Sequence, residues 1–195
     1  MRPKILGIGF HKTGTTTLEV VLKKLGFSVL GPQQQFVAKK NLHNLFSLIE
    51  DHDAVQDNPW PIFFRELDES FPKAKFILTI RSNESWLRSI KNHCGHRHSE
   101  MREFIYGYGN PIGNERIYLE RYKKHNSDVL KYFQDRPEDI LIIDWSKEKD
   151  WTRICSFLNC KPPNDRLPHA NKFKKEGRLN RFFFRWLTEK VRNMR

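Results

Sequence analysis

Residues 9–18 read GFHKTGTTTL, and they follow a short apolar run at residues 4–9. Four apolar residues follow the spacing i, i+3, i+4, i+7, namely Leu18, Val21, Leu22 and Leu25. This spacing predicts a helix with one apolar face over residues 15–25. Glycines let a backbone turn approach a ligand closely, and the N–H groups at the start of a helix attract an anion. The turn therefore predicts a phosphate-binding loop, in which a lysine and threonine hydroxyls add charge-assisted hydrogen bonds.

Short apolar runs alternate with helical stretches along the chain, which is typical of a parallel sheet covered by helices. Strands are predicted at residues 4–9, 27–30, 54–56, 75–80 and 140–143. Helices are predicted at residues 15–25, 40–50, 82–92, 114–133 and 151–158. No internal repeat or long linker interrupts the pattern. We therefore predict a single three-layer α/β/α domain with a mainly parallel sheet over residues 1–195.

The charge of the chain is unevenly distributed. Its 195 residues carry a net charge of +12, and such an excess predicts an anionic partner. Residues 172–195 hold nine Lys and Arg against two Glu, a net +7, in a pattern that predicts a basic amphipathic helix. Because so much charge lies in this segment, no nucleic-acid partner is expected. The helix is expected either to dock on the domain's own core or to contact a membrane surface or a partner.

Cysteine content and hydropathy indicate the compartment. Cys94, Cys155 and Cys160 are too few and too scattered to predict a disulfide framework. No segment reaches the roughly 18 apolar residues of a membrane span, and the N-terminal apolar run lacks the features of a signal peptide. These observations predict a cytoplasmic protein. The histidines at residues 93–98 match no standard zinc spacing, so no metal site is predicted.

Two alternatives concern the phosphate ligand and the activity. Loops that bind ATP or GTP read G-x-x-x-x-G-K-[ST], with the lysine directly after the second glycine. Here Lys12 precedes Gly14 by two residues, and Thr15 occupies the lysine position. This departure argues against nucleoside triphosphate chemistry, but a nucleotide-dependent phosphotransferase with an unusual loop stays open. A catalytically inactive nucleotide-binding protein of the same fold stays open as well.

The segment KTGTTTL at residues 12–18 resembles the loop that binds the 5′-phosphosulfate group in sulfotransferases that use 3′-phosphoadenosine 5′-phosphosulfate (PAPS). The resemblance implies a P-loop NTPase-like fold. It also implies that Lys12 contacts the bridging oxygen and the transferring sulfuryl group. The residues implied to bind the nucleotide at this end are Lys12, Thr13, Gly14, Thr15, Thr16 and Thr17.

A second segment resembles the motif with which the same family binds the 3′-phosphate. The apolar strand predicted at residues 75–80 is followed by Arg81, and Ser89 comes eight residues later. Physical chemistry supports this interpretation, because α/β sheets bind ligands at the carboxyl ends of their strands and an arginine fork suits a terminal phosphate. The resemblance covers residues 4–31 and 53–92. It extends more loosely to residues 157–171, which are similar to a loop of some bacterial members.

By this resemblance the chain is expected to transfer a sulfuryl group from PAPS to a hydroxyl or amine of a small-molecule or carbohydrate acceptor. The product 3′-phosphoadenosine 5′-phosphate (PAP) would be released, and no metal is implied. The acceptor needs a group that takes its proton, and family members place a His or an acid after a neighbouring strand. Asp57 is the first candidate for this base, His11 the second and Asp53 the third. A basic loop at residues 172–178 loosely resembles the one that closes over the 3′-phosphate.

Overall fold

The computed structural model describes residues 2–39 and 41–168. The basic helix predicted at residues 172–195 lies outside the described residues. So do the basic loop at residues 172–178 and the end of the more loosely matching stretch, residues 169–171. Within the described residues, no helix is both long enough and apolar enough to cross a membrane.

Strands and helices alternate along the described residues. The strands are β1 (Ile5–Gly7), β2 (Val29–Leu30), β3 (Ala54–Val55), β4 (Lys75–Thr79) and β5 (Ile140–Ile143). The helices are α1 (Thr15–Lys24), α2 (Phe36–Lys39), α3 (Leu42–Glu50), α4 (Phe64–Ser70), α5 (Asn83–Cys94), α6 (Glu100–Tyr106), α7 (Glu115–Tyr132) and α8 (Thr152–Leu158). Short 3₁₀ turns occur at Trp60–Phe63 and Pro137–Asp139.

All five predicted strands are confirmed, with ends that differ by at most two residues from the prediction. The predicted helices are confirmed as α1, α3, α5, α7 and α8. Helix α3 begins after Asn41, whose side chain accepts a hydrogen bond from the N–H of Asn44 and so caps the helix. Helices α2, α4 and α6 were not predicted. Each has seven residues or fewer, too few turns for a 3.6-residue periodicity to be recognised.

The strands form one parallel sheet in the order β2-β3-β1-β4-β5. Ile5 of β1 pairs with Ala54 of β3 on one side and with Lys75 of β4 on the other. The chain leaves β1 toward β2 but leaves β4 toward β5, so the direction of the connections reverses between β1 and β4. In open α/β sheets, ligands bind in the crevice at the carboxyl ends of strands where this reversal occurs. The two motifs identified in the sequence follow these two central strands.

Helices cover both faces of the sheet. On one face α1 and α8 pack on the strands, through side chains that include Leu22 and Ile154. On the other face α3, α4 and α7 pack, through side chains that include Ile49, Leu67 and Phe133. This arrangement confirms the predicted three-layer α/β/α fold with a parallel sheet.

A third cluster of buried side chains lies beyond the carboxyl ends of the central strands. It joins the loop after β1 to α5, α6 and α7, and we call it the aromatic cluster. Its aromatic members are Phe10, Trp86, Tyr106, Tyr118 and Tyr122. Trp86 stacks on Tyr122 with ring centroids 4.3 Å apart, and Tyr106 stacks on Tyr118 at 3.9 Å. The cluster supports the loop after β1, because it includes Phe10 of that loop and because the Trp86 indole N–H donates to the His11 carbonyl oxygen at 2.9 Å.

Candidate active site

A cleft of about 920 Å³ lies at the carboxyl edge of the sheet. The loops after all five strands, together with α5 and α6, contribute to its lining. The predicted site residues that line it are His11, Lys12, Thr13, Gly14, Thr15, Thr16, Thr17, Asp57, Arg81 and Ser89. The structure therefore brings both motifs and two of the three candidate bases into one cavity.

The loop after β1 is fastened to the end of β4. The Thr13 hydroxyl donates to the carbonyl oxygen of Phe10 at 2.6 Å and is hydrogen-bonded to the Thr79 hydroxyl, also at 2.6 Å. Gly9 lies so close to β4 that a Cβ on it would collide with Thr79. These contacts fix the backbone of the loop. They also occupy the Thr13 hydroxyl, so the predicted contact of Thr13 with the nucleotide would have to involve other atoms of this residue.

The first turn of α1 is open to the cleft. Gly14 precedes the helix with φ of 102°, in the left-handed region, and no side chain caps the helix. The first helical hydrogen bond runs from the Leu18 N–H to the Gly14 carbonyl oxygen at 3.0 Å. The N–H groups of the first turn therefore lack intrahelical partners, and Gly14 through Thr17 line the cleft. Such a helix terminus binds anions.

Trp145, directly after the Asp that follows β5, was not predicted as a site residue. It is 8% exposed, and its indole packs against Gly14, where a Cβ would come within 2.8 Å of the ring nitrogen. The only sequence signal for this contact is the position of an aromatic residue just after a buried strand. Gly14 is thus required for two reasons, a backbone conformation that disfavours other residues and the lack of space for a side chain.

We expect Gly14→Ala to lower the free energy of unfolding more than Gly26→Ala. The backbone of Gly26 also has a positive φ, 83°, but nothing lies within 4 Å of a Cβ placed there. The left-handed conformation should cost about 1–2 kcal/mol in both variants. The collision with Trp145 should cost Gly14→Ala about 1–3 kcal/mol more. Urea denaturation of both variants measures the difference, and equal losses would show that Trp145 does not restrict this position.

Lys12 projects from the same loop and lines the cleft. Its backbone also lies in the left-handed region, with φ of 68°, a conformation that non-glycine residues adopt mainly at constrained sites. Burial is the main cause that lowers the pKa of Lys12, and the charge of Arg81 acts in the same direction. Within the described residues Lys12 forms no ion pair, so its ammonium group is left for a ligand.

Arg81 follows β4 and lies beside the loop. The Tyr122 hydroxyl accepts a hydrogen bond from the Arg81 N–H and donates one to its carbonyl oxygen, each at 2.9 Å. The guanidinium Nη1 lies 3.5 Å from the Lys12 carbonyl oxygen, and the side chain is exposed. Ser89 lines the same cleft from α5. The aromatic cluster therefore fixes the backbone at Arg81, while the guanidinium remains accessible to a ligand.

Asp57 follows β3 and faces the cleft from the other side of β1. Its Oδ2 accepts a hydrogen bond from the Thr15 hydroxyl at 2.6 Å, and its Oδ1 accepts one from the Asn58 N–H at 2.8 Å. Burial raises the pKa of Asp57, and the two hydrogen bonds oppose this effect. A carboxylate with a raised pKa is a stronger base than an exposed one, so Asp57 is suited to accept a proton.

His11 is held at both ring nitrogens. Its Nδ1 accepts a hydrogen bond from the Asn58 Nδ2 at 2.7 Å, and its Nε2 lies 2.9 Å from the Tyr106 hydroxyl. Burial lowers the pKa of His11 to about 3, and the charge of Arg102 acts in the same direction. The imidazole is therefore neutral. Since both nitrogens are already bonded, neither is available to an acceptor in this arrangement.

Asp53, the third candidate base, lies at the opposite end of β3 and does not line the cleft. Its Oδ2 accepts hydrogen bonds from the N–H and the hydroxyl of Ser28, each at 2.8 Å. The hydrogen bond from the Ser28 N–H is the main cause that lowers the pKa of Asp53. Asp53 therefore has a structural role, because these hydrogen bonds join the segments that lead into β2 and β3.

Other residues that line the cleft were not predicted as site residues. They are Pro32, Gln34, Asn58, Ile80, His93, Cys94, Arg102, Asp144, Trp145, Ser146 and Glu148. Arg102 belongs to α6, a segment in which no motif was recognised. Among residues 2–39 and 41–168, no three His, Cys, Asp or Glu side chains are grouped so as to hold a metal ion.

Comparisons with known proteins give a consistent result. A family model described as "Sulfotransferase domain" matches residues 4–114 and 100–175. The Ava biosynthesis cluster protein M of Aspergillus versicolor is 27% identical over 211 residues, an alignment that covers 85% of this chain and 80% of that protein. The crystal structure of a sulfotransferase from Alicyclobacillus acidocaldarius matches with a TM-score of 0.57 at 15% identity, covering 98% of this chain and 93% of that one. The structural match shows a shared fold.

Proposed function

The chain belongs to the sulfotransferase family, and on that premise we propose that it transfers the sulfuryl group of PAPS to a hydroxyl or amine acceptor. The observation that supports the donor is a single cleft that holds two anion-binding elements. One is the open first turn of α1 with Lys12, and the other is Arg81 with Ser89. A nucleotide that carries charge at both its 5′ and 3′ positions matches this pair of elements.

The donor would lie across the crevice between β1 and β4. Its 5′-phosphosulfate would accept hydrogen bonds from the N–H groups of residues 14–17, where a helix N-terminus favours negative charge. Arg81 and Ser89 would bind the 3′-phosphate, and the planar guanidinium suits bidentate contact with a phosphate monoester. Both contacts require the arrangement that the hydrogen bonds of Thr13 and Tyr122 hold in place.

The chemistry follows from where charge develops. The acceptor oxygen or nitrogen forms a bond to sulfur, while the bond from sulfur to the bridging oxygen of the donor breaks. Lys12 would stabilise the negative charge that this leaving oxygen gains, and Asp57 would take the proton from the acceptor. We propose Asp57 rather than His11 as the base, because His11 has both ring nitrogens engaged and a strongly lowered pKa. His11 then serves to shape the loop.

A ligand titration separates this function from the phosphotransferase alternative. PAP without magnesium should raise the melting temperature of the protein, whereas ATP with magnesium should have little effect. The opposite preference would favour the phosphotransferase. A catalytically inactive binding protein would be stabilised by PAP but would transfer no label from PAPS to any member of a broad panel of hydroxyl and amine acceptors in a single turnover.

We expect Arg81→Ala to raise the KM for PAPS by roughly 10- to 100-fold, the usual loss for a hydrogen bond to a charged group. At saturating PAPS the kcat should change little, because the 3′-phosphate is distant from the reacting sulfur. Arg88→Ala is the matched control, since Arg88 is exposed on α5 and does not line the cleft. Equal KM values for the two variants would refute the assignment of Arg81 to the 3′-phosphate.

We propose a small-molecule or carbohydrate acceptor and a cytoplasmic protein. Contact of the segment at residues 172–195 with a membrane surface stays a prediction.

A further inference from the structure

The part of the cleft next to β3 is where an acceptor would enter. The proposed donor uses the loops after β1 and β4, so the acceptor must approach Lys12 from the remaining lining. Apart from the loop after β5, which lies beside the donor, that lining comes from the loops after β2 and β3, from the end of α5 and from α6. We call it the acceptor side, and its residues are Gln34, Asp57, Asn58, His93, Cys94 and Arg102.

Arg102 gives this side a fixed positive charge. It lies in the first turn of α6 and is partly buried. Its Nε donates to the Gly109 carbonyl oxygen at 2.9 Å, and its Nη2 donates to the Arg97 carbonyl oxygen. Burial raises the pKa of the Tyr118 hydroxyl to about 12, and the charge of Arg102 opposes this effect. Neutral groups thus orient the guanidinium, and Arg102 forms no ion pair within the described residues. A guanidinium has five N–H donors, so donors remain for an anionic ligand beside these two hydrogen bonds.

The acids that line the cleft do not neutralise Arg102. Asp144 accepts hydrogen bonds from the N–H and hydroxyl of Ser146, and Glu148 is paired with Arg153. Both acids lie after β5, on the donor's side of β1. The one acid on the acceptor side is Asp57, which is bonded to Thr15 and Asn58. The charge of Arg102 acts on neighbouring groups in the cleft, since it is one of the causes that lower the pKa of His11 and of His93.

We propose that the acceptor carries an acidic group, a carboxylate, sulfate or phosphate ester, that binds the guanidinium of Arg102. Its hydroxyl or amine then lies against Lys12 and Asp57. Arginine N–H groups form strong hydrogen bonds to such anions, and the neutral contacts of Arg102 already hold it in place. The inference rests on the proposed function, because it is the donor that assigns the rest of the cleft to the acceptor.

The test compares matched acceptors in which a carboxylate is replaced by a neutral ester or amide. Labelled PAPS is the donor, and the acceptor pairs are 3-(4-hydroxyphenyl)propanoate with its methyl ester and methyl glucuronide with its carboxamide. We expect kcat/KM for the acids to exceed that for their neutral partners by roughly 10- to 100-fold. Arg102→Ala should abolish this preference and leave PAP affinity within about twofold of wild type, whereas Arg102→Lys should keep part of the preference. Arg116→Ala is the charge-matched control, because Arg116 is 88% exposed on α7.

A second measurement needs no accepted substrate. Inorganic sulfate should further stabilise the complex with PAP, in which the donor's phosphate sites are filled. We expect this stabilisation to be lost in Arg102→Ala and kept in Arg116→Ala. Sulfate that binds instead in the vacated sulfuryl position would lose its effect in Lys12→Ala and keep it in Arg102→Ala, and that result would overturn the proposal.

Failure of this inference is distinct from failure of the proposed function. If PAP does not bind the wild type, the donor assignment is wrong. If PAP binds but acids and neutral partners react equally, or if Arg102→Ala weakens PAP binding tenfold, Arg102 does not select an acidic acceptor. If Arg102→Ala does not fold, the comparison of Arg102→Lys with Arg102→Gln replaces it. The proposal predicts that the preference for acidic acceptors survives in part in Arg102→Lys and is lost in Arg102→Gln.

Discussion

Lys12→Ala is expected to lower kcat for sulfuryl transfer by about 10²–10³-fold, as loss of one charge-stabilising donor typically does. Negative charge develops on the leaving oxygen in the transition state, so the ammonium group contributes more there than in the bound ground state. The loss should therefore be larger in kcat than in the affinity for PAP. Lys12 forms no ion pair within the described residues, but its charge is one of the causes that lower the pKa of Asp57, so its removal also raises that pKa.

Lys23→Ala is the matched control for this experiment. Lys23 lies in the last turn of α1 and pairs with Glu19, at the opposite end of the helix from the cleft. The Lys23→Ala substitution removes the same charge without altering the loop after β1. A kcat for Lys12→Ala within about threefold of that for Lys23→Ala would contradict the role of Lys12 in stabilising the leaving group.

Asp57→Asn is expected to lower kcat/KM by about 10²–10⁴-fold, the usual contribution of a positioned general base. Asparagine keeps the size of the side chain and one oxygen, which can accept from the Asn58 N–H while its NH2 group donates to the Thr15 hydroxyl, but it cannot accept a proton. Asp51→Asn is the control, since Asp51 is exposed after α3 and does not line the cleft. Single-turnover transfer from PAPS measures the rates.

The pH dependence gives an independent readout of the same residue. Burial raises the pKa of Asp57, so the carboxylate is lost when the pH falls through this raised value. In the wild type, kcat/KM should therefore decline on the acidic side, and in Asp57→Asn this decline should disappear. If Asp57→Asn and His11→Ala both kept the wild-type rate and pH profile, neither residue would be the base.

Features encoded in contiguous residues could be predicted from the sequence. The loop at residues 9–18 and α1 carry their own signals, a turn with two glycines and an apolar stripe. The position of Arg81 at the end of a buried strand, with Ser89 eight residues later, could also be read from the sequence. The parallel sheet then brings these two segments together, because the carboxyl ends of β1 and β4 are adjacent.

Features that depend on contacts between distant residues could not be predicted. Tyr106 and His11 are 95 positions apart, and their hydrogen bond depends on α6, whose seven residues show no clear periodicity. The contact of Trp145 with Gly14 joins the last strand to the first loop. The hydrogen bond between Thr13 and Thr79 had no sequence signal either, so a hydroxyl assigned to the ligand turned out to be used within the protein.

The proposed function requires one adenosine bisphosphate to span both halves of the cleft. Calorimetric titration of the wild type and Arg81→Ala with PAP and with AMP, without magnesium, tests it most directly, because AMP keeps the 5′-phosphate and lacks the 3′-phosphate. The wild type should bind PAP roughly 10- to 100-fold more tightly than AMP, and Arg81→Ala should bind the two nucleotides about equally, with AMP affinity unchanged. Equal binding of PAP and AMP by the wild type, or an equal loss for both in Arg81→Ala, would contradict it.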